Sequence, residues 1–303
     1  MDNFIVLYNP LAGNGTAQDK MRELESLMQG DRLYFSNMLD IRDYGAFFND
    51  MPDGASIIIC GGDGTLNRFL NDTEDIRPDC DIYYYPSGSG NDFARDIDAE
   101  RGASPVLINR YIERLPKICV NGKEHRFING IGYGIDGYCC EKGDELRGKG
   151  NGEVNYTAIA IKGLLFHYKP TGATITVDGV EHRFEKVWLA PTMIGRYYGG
   201  GMMPMPEQDR LNGDGAVSVT VYYGSGKLKS LAVFPSIFKG EHIKHSEMVA
   251  VLSGRNITVC FDEPRPLQID GGNGARRARI QRDCLRGKGF AAGVILWYNK
   301  WAV

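Results

Sequence analysis

Three short apolar runs in the first third of the chain each end in a glycine-rich corner. Phe4-Ile5-Val6-Leu7-Tyr8 ends at Asn9-Pro10-Leu11-Ala12-Gly13-Asn14-Gly15, and Ser56-Ile57-Ile58-Ile59-Cys60 at Gly61-Gly62-Asp63-Gly64-Thr65. Ile82-Tyr83-Tyr84-Tyr85 ends at Pro86-Ser87-Gly88-Ser89-Gly90-Asn91-Asp92. Runs with no polar alternation suit strands covered on both faces. After the first corner, Met21, Leu24, Leu27 and Met28 recur at helical spacing, with Gly30 as a stop. A second helical stretch covers Leu66–Leu70. Strand, glycine corner and helix repeated in this way predict a parallel α/β sheet. Its corners collect at the carboxyl ends of the strands, where such sheets bind ligands.

From about Lys117 the texture changes. Thr174–Val177, Val187–Ala190, Ala216–Val221 and Ile257–Phe261 are strand-like, with turn pairs Asp178-Gly179, Asn212-Gly213 and Asp214-Gly215 among them. Helical candidates are few: Tyr156–Phe166 and Leu228–Phe238. A chain of 303 residues exceeds what one core usually organises. The expected division is an α/β domain over 1–116, an antiparallel β-rich domain over 117–275, and a tail over 276–303.

The net charge of −3 gives no global attraction to nucleic acid. No apolar run approaches the roughly 20 residues that cross a bilayer, and Met1-Asp2-Asn3-Phe4 does not open like a signal peptide. The seven cysteines are scattered without metal spacing. Reduced thiols in a cytoplasmic protein are the expectation. The five histidines show no pairing suited to a metal or a catalytic triad.

The Gly61–Thr65 corner carries the strongest chemical signal. Glycines let backbone amides approach a phosphate, and the following helix N-terminus favours an anion. An aspartate there, Asp63, repels phosphate unless a metal such as Mg²⁺ bridges the two or the carboxylate has a positioning job. The competing reading is a tight turn capped by Thr65. The Asn9–Gly15 corner lacks the Lys-Ser/Thr ending of a P-loop and the spacing of a dinucleotide fingerprint. In the third corner, Asn91 and Asp92 equally suit a helix cap.

Taken together these residues resemble the diacylglycerol kinase catalytic-domain family. The carriers are Asn9-Pro10-x-x-Gly13-x-Gly15, Gly61-Gly62-Asp63-Gly64-Thr65-Leu66-Asn67 and Gly88-Ser89-Gly90-Asn91-Asp92-Phe93-Ala94-Arg95. Phe127-x-Asn129-x-x-Gly132-x-Gly134, Asn212-Gly213-Asp214-Gly215 and Ile269-Asp270-Gly271 extend the match. The Gly61-Gly62-Asp63-Gly64-Thr65 motif is shared with NAD kinases, which leaves an NAD kinase-like small-molecule kinase as an alternative. The resemblance implies an N-terminal α/β nucleotide-binding domain, a C-terminal antiparallel β-sandwich and a site between them. It implies MgATP as phosphoryl donor and a lipid hydroxyl, such as that of diacylglycerol, as acceptor. Asn9, Pro10, Gly13, Gly61, Gly62, Gly64, Thr65, Asn67, Gly88, Gly90, Asn91 and Asp92 would surround the nucleotide. Asp270 would be the general base, with Asp63 the second catalytic candidate. Asp214, with Asp209 beside it, matches a structural Mg²⁺ position, and also reads as an Asp-Gly turn. Peripheral membrane contact follows from a lipid acceptor, and a homodimer through a sheet or domain edge is compatible with the sequence.

Two segments stand apart. Arg196-Tyr197-Tyr198-Gly199-Gly200-Gly201-Met202-Met203 reads as a mobile loop that lines a lipid entrance, or as a long β connection. Asp270-Gly271-Gly272 stands where relatives carry Asp-Gly-Glu, and the following Asn273–Arg279 shows no strand alternation. In relatives the chain returns here to the first domain. Removing one G from a GGA codon at Gly272 restores Glu and a new frame, so a frame change is one reading of the tail. A nucleotide- or lipid-binding protein impaired in catalysis is the corresponding functional alternative.

Overall fold

The computed structural model describes residues 2–10, 17–76, 78–100, 102–120, 123–148, 159, 162–163, 168–263, 265, 267–270 and 293–295. They fall into two compact units, Met1–Leu115 and Pro116–Val303.

In the first unit the apolar runs become strands β1 (Asn3–Tyr8), β3 (Ser56–Gly61) and β4 (Ile82–Pro86). With β2 (Arg32–Asn37) and β5 (Val106–Leu107) they form a five-stranded sheet in the order β2-β1-β3-β4-β5. β1 to β4 run parallel, and β5 is antiparallel to β4. Helices α1 (Ala17–Leu27), α2 (Tyr44–Asn49), α3 (Asp63–Asp72), α4 (Asp92–Asp96) and α5 (Asn109–Ile112) alternate with the strands. Phe4, Val6, Ile58, Cys60 and Tyr85 pack with Leu24 of α1 into one core cluster. The interior strands are apolar throughout because helices cover both faces of the sheet.

The second unit is built on two antiparallel sheets. One has the order β10-β9-β14-β16 and the other β13-β12-β11-β8-β15. The strands are β8 (Gly130–Tyr133), β9 (Thr171–Val177), β10 (Val180–Val187), β11 (Thr192–Met193), β12 (Val217–Tyr222), β13 (Val249–Gly254), β14 (Asn256–Phe261), β15 (Leu267–Ile269) and β16 (Gly293–Ile295). A separate hairpin pairs β6 (Lys117–Val120) with β7 (Lys123–Arg126). Alternate residues of β9 (Ala173, Ile175, Val177) and β14 (Ile257, Val259, Phe261) meet Val217, Val219 and Val221 of β12 in the sandwich core, the period-two pattern of a sheet buried on one face. Asp178 and Gly179, both at positive φ, turn β9 into β10. Of the tail, β16 pairs antiparallel with Asn256–Thr258 of β14.

β12 is buried along its whole length. Its second face is covered by α7 (Lys227–Val233), by 3-10 turns over Phe234–Lys239 and Glu241–Lys244, and by the 202–208 segment. Thr220 Oγ1 donates to Pro204 O at 2.8 Å. The expected helix over 228–238 is thus half α and half 3-10. That over 156–166 lies largely outside the described residues. A 14-residue helix α6 (Ile135–Gly148) stands where no helix was expected, because Gly137 and Gly143 interrupt its pattern.

Candidate active site

In the first unit the chain passes from β1 outward to β2 and then back across to β3, so β1 and β3 flank the point where strand order reverses. Crevices form outside the carboxyl ends of the strands at such points. Asn9 and Pro10 follow β1, Gly61–Thr65 follow β3, and Pro86–Asp92 follow β4. Register sets Tyr8 beside Cys60 and Gly61 beside Pro86, so these three corners are neighbours. Gly13 belongs to the same corner but lies outside the described residues.

The second and third corners are bonded into one body. Ser87 N–H donates to Gly61 O at 2.9 Å. A Cβ on Gly88 would lie 2.4 Å from Gly62 Cα, so the two backbones touch where no side chain fits. Asn91 adopts the left-handed conformation at φ 52° and clamps Gly88 from both sides. Its Oδ1 accepts Gly88 N–H at 3.0 Å, and its Nδ2 donates to Gly88 O at 2.8 Å. Asp63 reaches across to α4: Oδ2 accepts Asp92 N–H at 3.0 Å and Oδ1 accepts Phe93 N–H at 2.8 Å. The carboxylate thus serves the first-turn amides of the neighbouring helix, the positioning job. Burial, and next the charge of Asp63, hold the Tyr84 hydroxyl well above its ordinary pKa. Asp92 is buried, 3.8 Å from the Arg95 guanidinium.

α3 begins at Asp63 with Gly62 as N-cap and no side-chain capping bond. Thr65 does not cap it: its side chain is buried in the position that any Cβ on Gly61 would occupy. Gly64 is exposed, has no positive φ, and would meet nothing within 4 Å if it carried a Cβ. Among the described residues nothing requires glycine there, although glycine weakens a helix. Asn67 lies one turn further along α3, its backbone O and Oδ1 accepting from Asn71 Nδ2. Gly90, partly buried, stands next to the Asn91 clamp.

In the second unit Asp270 directly follows β15, 6% exposed and left-handed at φ 50°. Three backbone amides donate to its carboxylate: Ile128 N–H to Oδ2 at 2.7 Å, and Asn129 and Gly130 N–H to Oδ1 at 2.8 and 3.0 Å. Asp270 N–H returns a bond to Gly130 O at 2.9 Å. Arg210 holds the same turn from its other side, donating to Ile128 O and, at 3.0 Å, to Asn129 Oδ1. Arg210 carried no signal in the sequence beyond lying inside the acidic turn, where its charge is of the opposite sign.

Arg210 also ties this turn to the 209–215 loop. There Asp209 Oδ1 accepts Leu211 N–H at 2.8 Å, and Asn212 bonds on both sides to Ala216, at 2.8 and 3.0 Å. Asp209 and Asp214 are both exposed. Among the described residues no group of three or more His, Cys, Asp or Glu is placed to hold a metal ion.

The 196–203 segment is a tied turn. Tyr198 and Met202 exchange backbone hydrogen bonds at 3.0 and 3.1 Å across Gly199, Gly200 and Gly201, all at positive φ. Tyr198 is buried with Met193 and Met205.

Residues 3–117 match the family described as diacylglycerol kinase catalytic domain, and residues 129–282 match the YegS C-terminal NAD kinase beta sandwich-like domain. A diacylglycerol kinase of Mycobacterium tuberculosis (strain CDC 1551 / Oshkosh) is 26% identical over 200 residues, 64% of this chain and 63% of that protein's length. The diacylglycerol kinase of Bacillus subtilis strain 168 is 27% identical over 223 residues, 71% of this chain and 70% of its own. A solved diacylglycerol kinase structure from Bacillus anthracis strain Sterne superposes with a TM-score of 0.55 at 18% identity, covering 89% of each chain, and shows the shared fold. With both of its units matched in this order, the chain belongs to the diacylglycerol kinase catalytic-domain family, carrying a YegS-type β-sandwich as its second domain.

Proposed function

We propose that the protein is an ATP-dependent lipid kinase that transfers the γ-phosphoryl group of ATP to a lipid hydroxyl such as that of diacylglycerol. The observation that carries the reading is the fused pair of corners after β3 and β4. Their glycines meet backbone to backbone, and the start of α3, without a side-chain cap, carries a Gly64 that no contact among the described residues demands. A triphosphate laid against that helix start meets backbone N–H groups and the positive end of the helix dipole. Asn9 and Pro10 border the same sheet end. Asp63 and Asn91 act by holding the corners in shape, which is the preorganisation that phosphoryl transfer depends on.

Mg²⁺ bound with ATP supplies charge neutralisation on the transferring group, and Asp209 and Asp214 would hold a further, hydrated ion. Asp270 is the candidate acceptor for the hydroxyl proton. Three backbone amides fix its carboxylate in position. Where the transition state is loose the hydroxyl gives up its proton late, so Asp270 aligns the acceptor as well as taking its proton.

The test is labelled ATP with mixed lipid–detergent micelles. Labelled lipid supports the reading. Labelled NADP in a parallel reaction with NAD points to the small-molecule kinase, and nucleotide binding without transfer points to an impaired enzyme; either result refutes the proposal.

A further inference from the structure

The segment between Gly226 and Gly240 in the second unit is apolar on two opposite sides. Its inner side, Val233, Phe234 and Ile237, packs with Tyr222, Trp188 and Met248. Its outer side turns Leu228, Ala232, Pro235 and Phe238 to solvent, at intervals that share one face of a helix. Leu228 is 78% exposed, the highest value for a large hydrophobic side chain among the described residues, and Phe238 is 42% exposed. Single exposed apolar residues are ordinary, but here they form a row edged by exposed Lys227, Lys229 and Lys239. No acidic residue lies between Lys227 and Lys239, in a chain whose net charge is −3. Glu247 lies 2.9 Å from Lys229, and Glu241 lies 3.4 Å from Lys244. These pairs are solvent-exposed, where ion pairing is weak and exchangeable.

We propose that this face is the surface by which the protein docks on an anionic lipid bilayer. Leu228 and Phe238 enter the boundary between headgroups and acyl chains, while Lys227, Lys229 and Lys239 meet lipid phosphates. A second copy of the chain is the poorer occupant, because a two-fold contact through this patch sets lysines against lysines. The inference deepens the lipid-kinase reading by naming the surface that meets the acceptor's membrane. Vesicle binding needs no catalysis, so the two can fail separately.

The experiment is vesicle flotation of the full chain. It compares phosphatidylglycerol–phosphatidylcholine vesicles with phosphatidylcholine alone, at low and high salt. The variants are Leu228→Glu/Phe238→Glu and Lys227→Gln/Lys239→Gln, all at exposed positions and checked by thermal melting. The expected result is binding that requires phosphatidylglycerol, weakens with salt and falls roughly tenfold or more in each double variant. No binding by the wild-type chain overturns the proposal, as does unaltered binding by both variants. A dimer in sedimentation equilibrium that Leu228→Glu/Phe238→Glu dissolves, without vesicle binding, assigns the face to a second copy and also overturns it. Salt-sensitive vesicle binding lost in the variants, in a protein that phosphorylates no lipid in detergent micelles, upholds the docking surface and removes the kinase reading alone.

Discussion

Replacing Asp270 by Asn exchanges one carboxylate oxygen for an NH₂ group in a site where three backbone amides point inward. The less costly rotamer keeps an oxygen on Asn129 and Gly130 and sets NH₂ against Ile128 N–H. One buried donor then lacks an acceptor, costing about 1–3 kcal/mol, and two charge-assisted bonds become neutral, at roughly 0.5–1 kcal/mol each. The sum is about 3 kcal/mol. For a unit the size of Pro116–Val303, that lowers Tm by roughly 6–12 °C. Differential scanning fluorimetry of wild-type and variant protein measures it. Transfer to lipid is then assayed well below both midpoints. A fall of a hundredfold or more in turnover, on top of the lower Tm, is expected if Asp270 also takes the proton. A variant that melts within about 1 °C of wild type refutes the account of the carboxylate as the anchor of the 128–130 turn.

Gly64→Ala should melt at or slightly above the wild-type temperature, because nothing opposes the new methyl group, yet bind ATP several-fold more weakly in a titration. Gly88→Ala, which would drive a Cβ to 2.4 Å from Gly62 Cα, should lose stability and nucleotide binding together. Arg210→Met frees the Ile128 carbonyl and Asn129 side chain and should cost about 1–3 kcal/mol in urea unfolding; Arg210→Lys, with one donor group for two acceptors, should recover only part. His242 is fully buried, with Nε2 3.0 Å from Pro204 O, and burial lowers its pKa to about 4. The native state thus resists a proton that the unfolded chain accepts near its ordinary pKa. Its contribution is complete above pH 6.5 and is lost as pH falls towards 4, on the order of 3 kcal/mol in all. Wild-type and His242→Phe stabilities measured from pH 7 to 4.5 should diverge in slope, and parallel curves would discount the effect. Sequencing the gene through codon 272 should reveal an extra base if the frame-change reading holds; an uninterrupted native frame ends it.

The alternation of β1, β3 and β4 with helices was legible because uninterrupted apolar runs and glycine corners are local signals. The sandwich strands over 171–177, 217–222 and 256–261 were legible from β-branched content and turn pairs. Of the run Val187–Ala190 only Val187 belongs to a strand, β10; Leu189 makes isolated bridges to Gly134 and Tyr222. At the candidate site the residue types could be named but their work could not. Asp63 bonds to amides 29 and 30 residues away, and Asp270 to amides 140 to 142 away. No spacing rule encodes such partners. Thr65 looked like a cap because hydroxyl residues favour helix starts, whereas Gly62 occupies the cap position and Thr65 fills the space beside Gly61. The triple glycine at 199–201 suggested mobility, but positive φ values there close a bonded turn.

The Asp63 link and the Gly62–Gly88 contact tie the β3 and β4 corners to each other. The bonded amide protons of Thr65, Gly88, Asp92 and Phe93 should therefore exchange with solvent at a common rate, as one cooperative opening. A lesion in either corner would be felt in the other, so substitutions around Asn91 would alter the helix start at Asp63 without touching a nucleotide.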